Sequence, residues 1–122
     1  MSKAETKRKS PRLPRQVELA AGATQDKQGL DLVVLDLRKT GGFTDYFVIC
    51  SGANPRQIRA LADAVLDALA AEGVKPAHVE GYDRSDWILL DYFDFVVHVF
   101  ARETRTFYDL ERLWGNAERI ER

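Results

Sequence analysis

Asp86-Trp-Ile-Leu-Leu-Asp91 leads into Asp94-Phe-Val-Val-His98-Val-Phe100, and Thr104-Arg-Thr-Phe-Tyr108-Asp-Leu-Glu111-Arg-Leu-Trp114 follows. The first two stretches are short, rich in branched and aromatic residues, and bounded by aspartates, which predicts two buried strands. Tyr92-Phe-Asp94 joins them as a hairpin and lacks the Asn-Gly pair of the tightest turns, so a wider turn is expected. The third stretch reads as one helix. At about 100° per residue, Phe107, Leu110, Leu113 and Trp114 share an arc, with Tyr108, Glu111 and Arg112 along its edge. Phe107, Leu113 and Trp114 are therefore expected to lean toward the core, and Tyr108, Glu111 and Arg112 to face a partner. Trp87 opens its strand beside Asp83-Arg-Ser-Asp86, a place that suits either the core or a rim anchor. Trp, Tyr and Arg are the residues that dominate binding hot spots.

Working outward, Leu30 to Leu37 and Asp45 to Ser51 are nearly continuous apolar runs, as strands covered on both faces are. Thr40-Gly-Gly-Phe43 turns between them. Asn54 is a natural N-cap, Pro55 suits the first helical position, and Gln57 completes a capping-box spacing. Ile58, Leu61, Ala62, Val65 and Leu69 then make one apolar helix face, and Gly73 supplies a left-handed stop. His78 to Tyr82 is a further short strand. Pro14 to Lys27 reads as a helix with a thin stripe of Val17, Ala20, Ala21 and Thr24, interrupted by Gly22. The order is α-β-β-α-β-β-β-α: a single α/β domain over 13–115 with a mixed sheet of about five strands covered by helices. Residues 1–12 read as a basic disordered tail and 116–122 as a C-terminal tail.

The chain has 122 residues and a formal net charge of −1. A domain of this length buries roughly two-thirds of its unfolded surface and needs neither disulfide nor metal to fold. Cys50 is the only cysteine, set in an apolar run, and is expected to be a buried, inert thiol. A reducing, cytoplasmic location fits that usage. No run is long enough for a membrane span, and the polar, basic start has no apolar core of a signal peptide. Near-neutral charge argues against a dedicated nucleic-acid binder. Lys3, Lys7, Arg8, Lys9, Arg12 and Arg15 nevertheless crowd the N-terminus, as a solvated tail or as one that touches phosphate on a ribonucleoprotein surface.

Catalytic patterns do not complete. Ser51-Gly52 lies between strand and helix without a G-x-S-x-G or phosphate-loop pattern, and reads as a turn that needs small residues. His78-Val-Glu80 lacks the paired cysteines of zinc deaminases, and His78, His98 and Cys50 have no supporting metal spacing. Asp109-Leu-Glu111 would diverge on a helix, so it is no paired-carboxylate metal site. Asp63 and Asp67 read as a solvated edge. His98 shares a strand face with Val96 and Phe100, as a packed core histidine or part of an interface. No cofactor is called for.

Asp86-Trp-Ile-Leu-Leu-Asp91, Val96-Val-His-Val99 and Phe107-Tyr-Asp-Leu-Glu-Arg-Leu-Trp114 resemble the signature of the ribosomal silencing factor family, also called Iojap-like. Thr44-Asp-Tyr-Phe-Val-Ile-Cys-Ser-Gly52 and Val79-Glu-Gly81 resemble its other blocks, so the likeness spans roughly 30–114. The resemblance implies a nucleotidyltransferase-like fold without its catalytic carboxylates. It implies a homodimer that binds the large ribosomal subunit through protein fourteen, obstructs joining of the two subunits and lowers translation when nutrients are short. Organelle relatives assist large-subunit assembly, so an assembly factor is the alternative, with a nucleotidyltransferase-like enzyme a distant third. Carried over by position, the partner contacts are Trp87, Tyr108, Leu110, Glu111 and Arg112, with Asp91 nearby. Phe93 stands where many members have a small residue, the N-terminal helix matches poorly, and 1–12 and 115–122 fall outside the likeness.

Overall fold

Every residue of Tyr46–Gly52 is buried, because this strand, β2, lies in the middle of a sheet covered on both sides. The computed structural model describes residues 13–121. The expected basic tail at 1–12 lies outside them. The elements are α1 (Arg15–Asp26), β1 (Leu30–Asp36), β2, α2 (Pro55–Ala70), β3 (His78–Glu80), β4 (Trp87–Asp91), β5 (Phe95–Ala101), α3 (Arg102–Tyr108), α4 (Leu110–Leu113) and β6 (Glu118–Glu121). The sheet order is β3-β4-β5-β2-β1-β6. β2 and β5 run parallel, with Val48 beside Val97, and every other pair is antiparallel. The mixed α/β architecture is therefore as expected.

The helix signals of α2 work as read. Asn54 accepts from the Gln57 N–H at 2.9 Å, and the Gln57 side chain accepts from the Ala53 N–H at 2.6 Å. Gly73 has φ +78°, which lets the Val74 N–H turn back onto the Leu69 carbonyl at 2.9 Å. α1 and α2 lie together on one sheet face. Val17, Ala20 and Ala21 of α1, and Ile58, Leu61, Val65 and Leu69 of α2, pack on Val34, Val48, Cys50, Val97 and Val99. The small residue at position 52 is a packing need: a Cβ there would lie 2.7 Å from Ile58 Cγ1. Ser51-Gly52 is thus the close strand-to-helix passage its composition suggested.

Two expectations fail. The C-terminal tail is instead β6, which makes six strands rather than about five and carries the domain to the last described residue. β6 pairs with β1, placing Ile120 opposite Val34. Without it, an apolar strand would be left as a bare sheet edge. A single apolar residue among four charged neighbours is too little alternation to announce a strand from sequence. The closing helix also breaks. Asp109 adopts φ 48°, ψ 56°, a left-handed geometry that ends α3 and starts α4 in a new phase. One continuous helical wheel therefore misplaced its members: Phe107 is 80% exposed and Leu113 71%.

Candidate partner-binding face

Among the described residues, the second face of the sheet is covered by the short α3–α4 segment and the chain after it. Val33, Leu35, Leu37, Phe47, Ile49, Val96 and Phe100 form its buried layer, and Trp87, Leu89, Leu110, Trp114 and Ala117 pack partly over them. Aromatic rings link across it. Phe47 meets Phe43 at 6.3 Å, Trp114 at 6.0 Å and His98 at 4.5 Å, all edge-on. Trp87 stacks on Phe100 at 4.9 Å and meets Tyr108 at 4.7 Å, and Phe107 sits edge-on to Tyr108. Phe43, Phe107, Tyr108 and Leu113 are all exposed at the rim. A shallow groove of about 550 Å³ runs along Phe107, Tyr108, Arg112 and Leu113.

Trp87 is held from several sides. Its indole N–H donates to His98 Nδ1 at 3.1 Å. Gly81, at φ +80°, passes so close that a Cβ would lie 2.0 Å from the Trp87 carbonyl oxygen. His98 is 4% exposed, and burial pushes its imidazole down to about 3, so the ring stays neutral. It is a packed histidine on the face shared with Val96 and Phe100, as alternation predicted.

The expected contact residues separate into two groups. Tyr108 and Arg112 face solvent, with Trp87 partly buried against Tyr108. Leu110 turns inward onto the aromatic layer. Glu111 also turns inward: its carboxylate accepts from Arg105 Nε and Nη2, both at 3.1 Å, and from Arg119 at 3.3 Å. Side-chain exposure is 11% for Arg105 and 18% for Glu111. Burial alone would raise the Glu111 carboxyl, but hydrogen bonds and charge from Arg105 and Arg119 outweigh it and hold it below the ordinary range. Arg105 also donates to Ser51 Oγ at 3.0 Å, tying α3 to the end of β2. Glu111 is a brace across the Asp109 break. Asp91 is used locally too. It accepts the Phe93 N–H at 2.8 Å, and so supports the hairpin position where Phe93 takes φ 79°. It lies at the opposite end of β4 from Trp87, about 13 Å away at the usual strand rise.

Sequence reasoning missed Phe43, Phe107 and Leu113 as exposed surface and Arg105 as the brace. Only the left-handed Asp109 reveals the first pair of helical residues, and nothing in the Gly-Gly turn marked Phe43. The metal reading has no geometry. Cys50 packs among the α1 and α2 residues and His98 belongs to the opposite sheet face, while His78 pairs with Glu80 at an edge. Among the described residues no group of three or more His, Cys, Asp or Glu is placed to hold a metal. Burial pushes the Cys50 thiol up to about 12, as an inert thiol requires. No helix of the described residues is long and apolar enough to cross a membrane.

The sequence of this face and its support matches the family described as "Ribosomal silencing factor during starvation" over residues 10–122. The chain belongs to the ribosomal silencing factor family. That span includes the C-terminal strand that the sequence likeness had left outside. The silencing factor of Bacillus subtilis is 39% identical, covering 83% of this chain and 86% of that one. The chloroplastic Iojap protein of Arabidopsis thaliana is 37% identical, covering 86% of this chain and 43% of the plant protein. A solved structure from Chromobacterium violaceum, 34% identical, superposes with a TM-score of 0.81 over 86% of this chain and 88% of that one. The family description and the name of the Bacillus subtilis relative both point to ribosome-associated regulation as the function class.

Proposed function

We propose that this silencing factor acts without catalysis, by occupying the large ribosomal subunit at its protein fourteen and obstructing the joining of the small subunit, which lowers translation in nutrient limitation. The observation that carries the reading is the rim of the thinly covered sheet face, where Trp87, Tyr108, Phe107 and Leu113 stand beside the exposed Arg112. Rigid aromatic anchors next to a cation are what a protein-binding hot spot uses. An interface of standard size, on the order of 1,600 Å² in total, is enough for steric occlusion. In this reading Trp87 and Tyr108 are the anchors and Arg112 sets register and on-rate. Glu111 and Leu110 act from behind by fixing the ridge, and Asp91 by fixing the hairpin. The family resemblance adds a homodimer to the reading, formed away from this rim. A cytoplasmic location, where mature subunits meet, completes the proposal, and the basic residues at 1–12 supply an incidental ribosomal RNA contact.

The test is co-sedimentation with purified large subunits, followed by a subunit-joining assay. Trp87→Glu and Tyr108→Ala are expected to lose the pellet fraction while circular dichroism stays native. Full binding by both variants would refute the anchor assignment. A role in large-subunit assembly is the second reading, supported by 29% identity to the mouse protein named mitochondrial assembly of ribosomal large subunit protein 1. Recovery on immature particles favours assembly, and recovery on mature subunits favours silencing.

A further inference from the structure

We propose that His98 is a positioning residue: its imidazole holds the Trp87 indole in the orientation that the ribosomal partner engages, and never touches that partner itself. The inference rests on the silencing reading above and adds the device that prepares its anchor.

An indole N–H only donates, so His98 Nδ1 is the acceptor of the 3.1 Å bond and the proton resides on Nε2. Strand register places Phe100 opposite Trp87 and Leu89 opposite His98. The bond therefore runs diagonally between the strands, within the reach of a long side chain, and draws the indole along the sheet. Phe100 supports one indole face and Tyr108 the other region of the ring. With these contacts alone the indole would slide; the hydrogen bond fixes its rotation. Its neutral state preserves the acceptor at physiological pH, because an imidazolium has a hydrogen on both nitrogens.

Packing does not account for an imidazole here. The ring is 4% exposed, lies edge-on to Phe47 and parallel to Phe100, and its Nε2 has no hydrogen-bond partner among the described residues. A buried polar group with one nitrogen unsatisfied is destabilising compared with an apolar side chain of similar size. What the imidazole adds over leucine is a single acceptor, and that acceptor is used on Trp87. An anchor held in its bound orientation loses less side-chain freedom on association, so the bond raises affinity without adding a contact.

The experiment compares His98→Asn, which keeps an acceptor near the Nδ1 position, with His98→Leu, which removes it. Trp87→Phe removes the donor. Binding to purified large subunits is expected to weaken about tenfold in His98→Leu, the scale of one hydrogen bond, and to stay within about threefold in His98→Asn, which keeps that bond. In the Trp87→Phe background, His98→Leu is expected to add less than about twofold, since both act through one bond. Trp87 fluorescence should shift in His98→Leu and not in His98→Asn. Wild-type protein gives an arm independent of mutant folding: imidazole ¹⁵N shifts must show an unprotonated, hydrogen-bonded Nδ1 and a slowly exchanging Trp87 indole N–H. A protonated Nδ1, equal weakening by Asn and Leu, or additivity with Trp87→Phe overturns the proposal. Failure of wild-type protein to bind large subunits would instead overturn the silencing reading, and the spectroscopic arm still decides whether His98 positions Trp87.

Discussion

Replacing Arg105 by methionine keeps the apolar stem of the side chain and removes its guanidinium, which isolates the brace across the Asp109 break. Removing one partner of a fully buried ion pair costs about 3–5 kcal/mol. Here the figure is lower, because Glu111 keeps Arg119 at 3.3 Å and is 18% exposed. Ser51 Oγ also loses a donor, but a hydroxyl recovers water readily. A loss of about 2 kcal/mol at neutral pH follows, or roughly 6–10 °C in Tm for a domain of this length. The pH dependence identifies the pair. Glu111 is held below its ordinary value of 4.5 in the fold, so its contribution is complete above that value and is lost as pH falls through the lowered one. The gap between wild type and Arg105→Met should therefore be widest from neutral down to about pH 5 and shrink below pH 4.5. Urea melts across pH 3–7 measure it, and hydrogen exchange should show α4 amides opening first. A gap that does not change with pH would show that Arg105 stabilises the fold by some route other than Glu111.

Gly81→Ala is expected to destabilise by at least about 2 kcal/mol, since it combines a positive φ with a Cβ 2.0 Å from the Trp87 carbonyl oxygen, and thermal melts with Trp87 fluorescence will register it. Truncation after Gly115 removes β6, uncovers the β1 edge and the Ile120 contact, and should convert a monodisperse chain into one that aggregates in light scattering. Cys50 should resist alkylation in native protein at pH 8 and react at the rate of a free thiol in urea, since its thiol is buried and pushed up to about 12. Native labelling at the unfolded rate would contradict its burial.

What was legible in the sequence is what depends on local pattern. The Asn54-Pro55-Gln57 start of α2, its apolar face and the Gly73 stop all appear as read, because caps and periodicity act within a few residues. The buried strands β1, β2 and β5 were equally plain from continuous apolar runs. The errors fall where one residue or one long-range pairing decides. Asp109 rotates everything after it, so Leu113 leaves the core and Glu111 enters a bridge with Arg105 and Arg119, neither of which stands at helical spacing that would suggest it. Ile120 becomes core only because β1, more than eighty residues earlier, needs a neighbour. For the candidate site, Trp87 and Tyr108 were named and do meet, while Asp91 and Glu111 were named and make hydrogen bonds within the fold.

These two outcomes have one physical origin. A sheet face covered by two short helices and the chain after them must be stable before any partner arrives, so most of its polar groups are satisfied from within. Glu111 is met by Arg105 and Arg119, the Trp87 N–H by His98, and the Phe93 N–H by Asp91. Each of these bonds occupies a polar group within the fold. Aromatic and aliphatic side chains stand at the rim beside Arg112. Partner recognition on such a surface has to rest on shape and apolar burial, with charge confined to steering. Binding is therefore expected to fall only modestly with added salt, by a decade or less between about 50 and 200 mM, unlike an RNA contact that neutralises several phosphates. A steep salt dependence that survives Trp87→Glu would move the principal contact away from this face and toward the basic residues that precede Leu13.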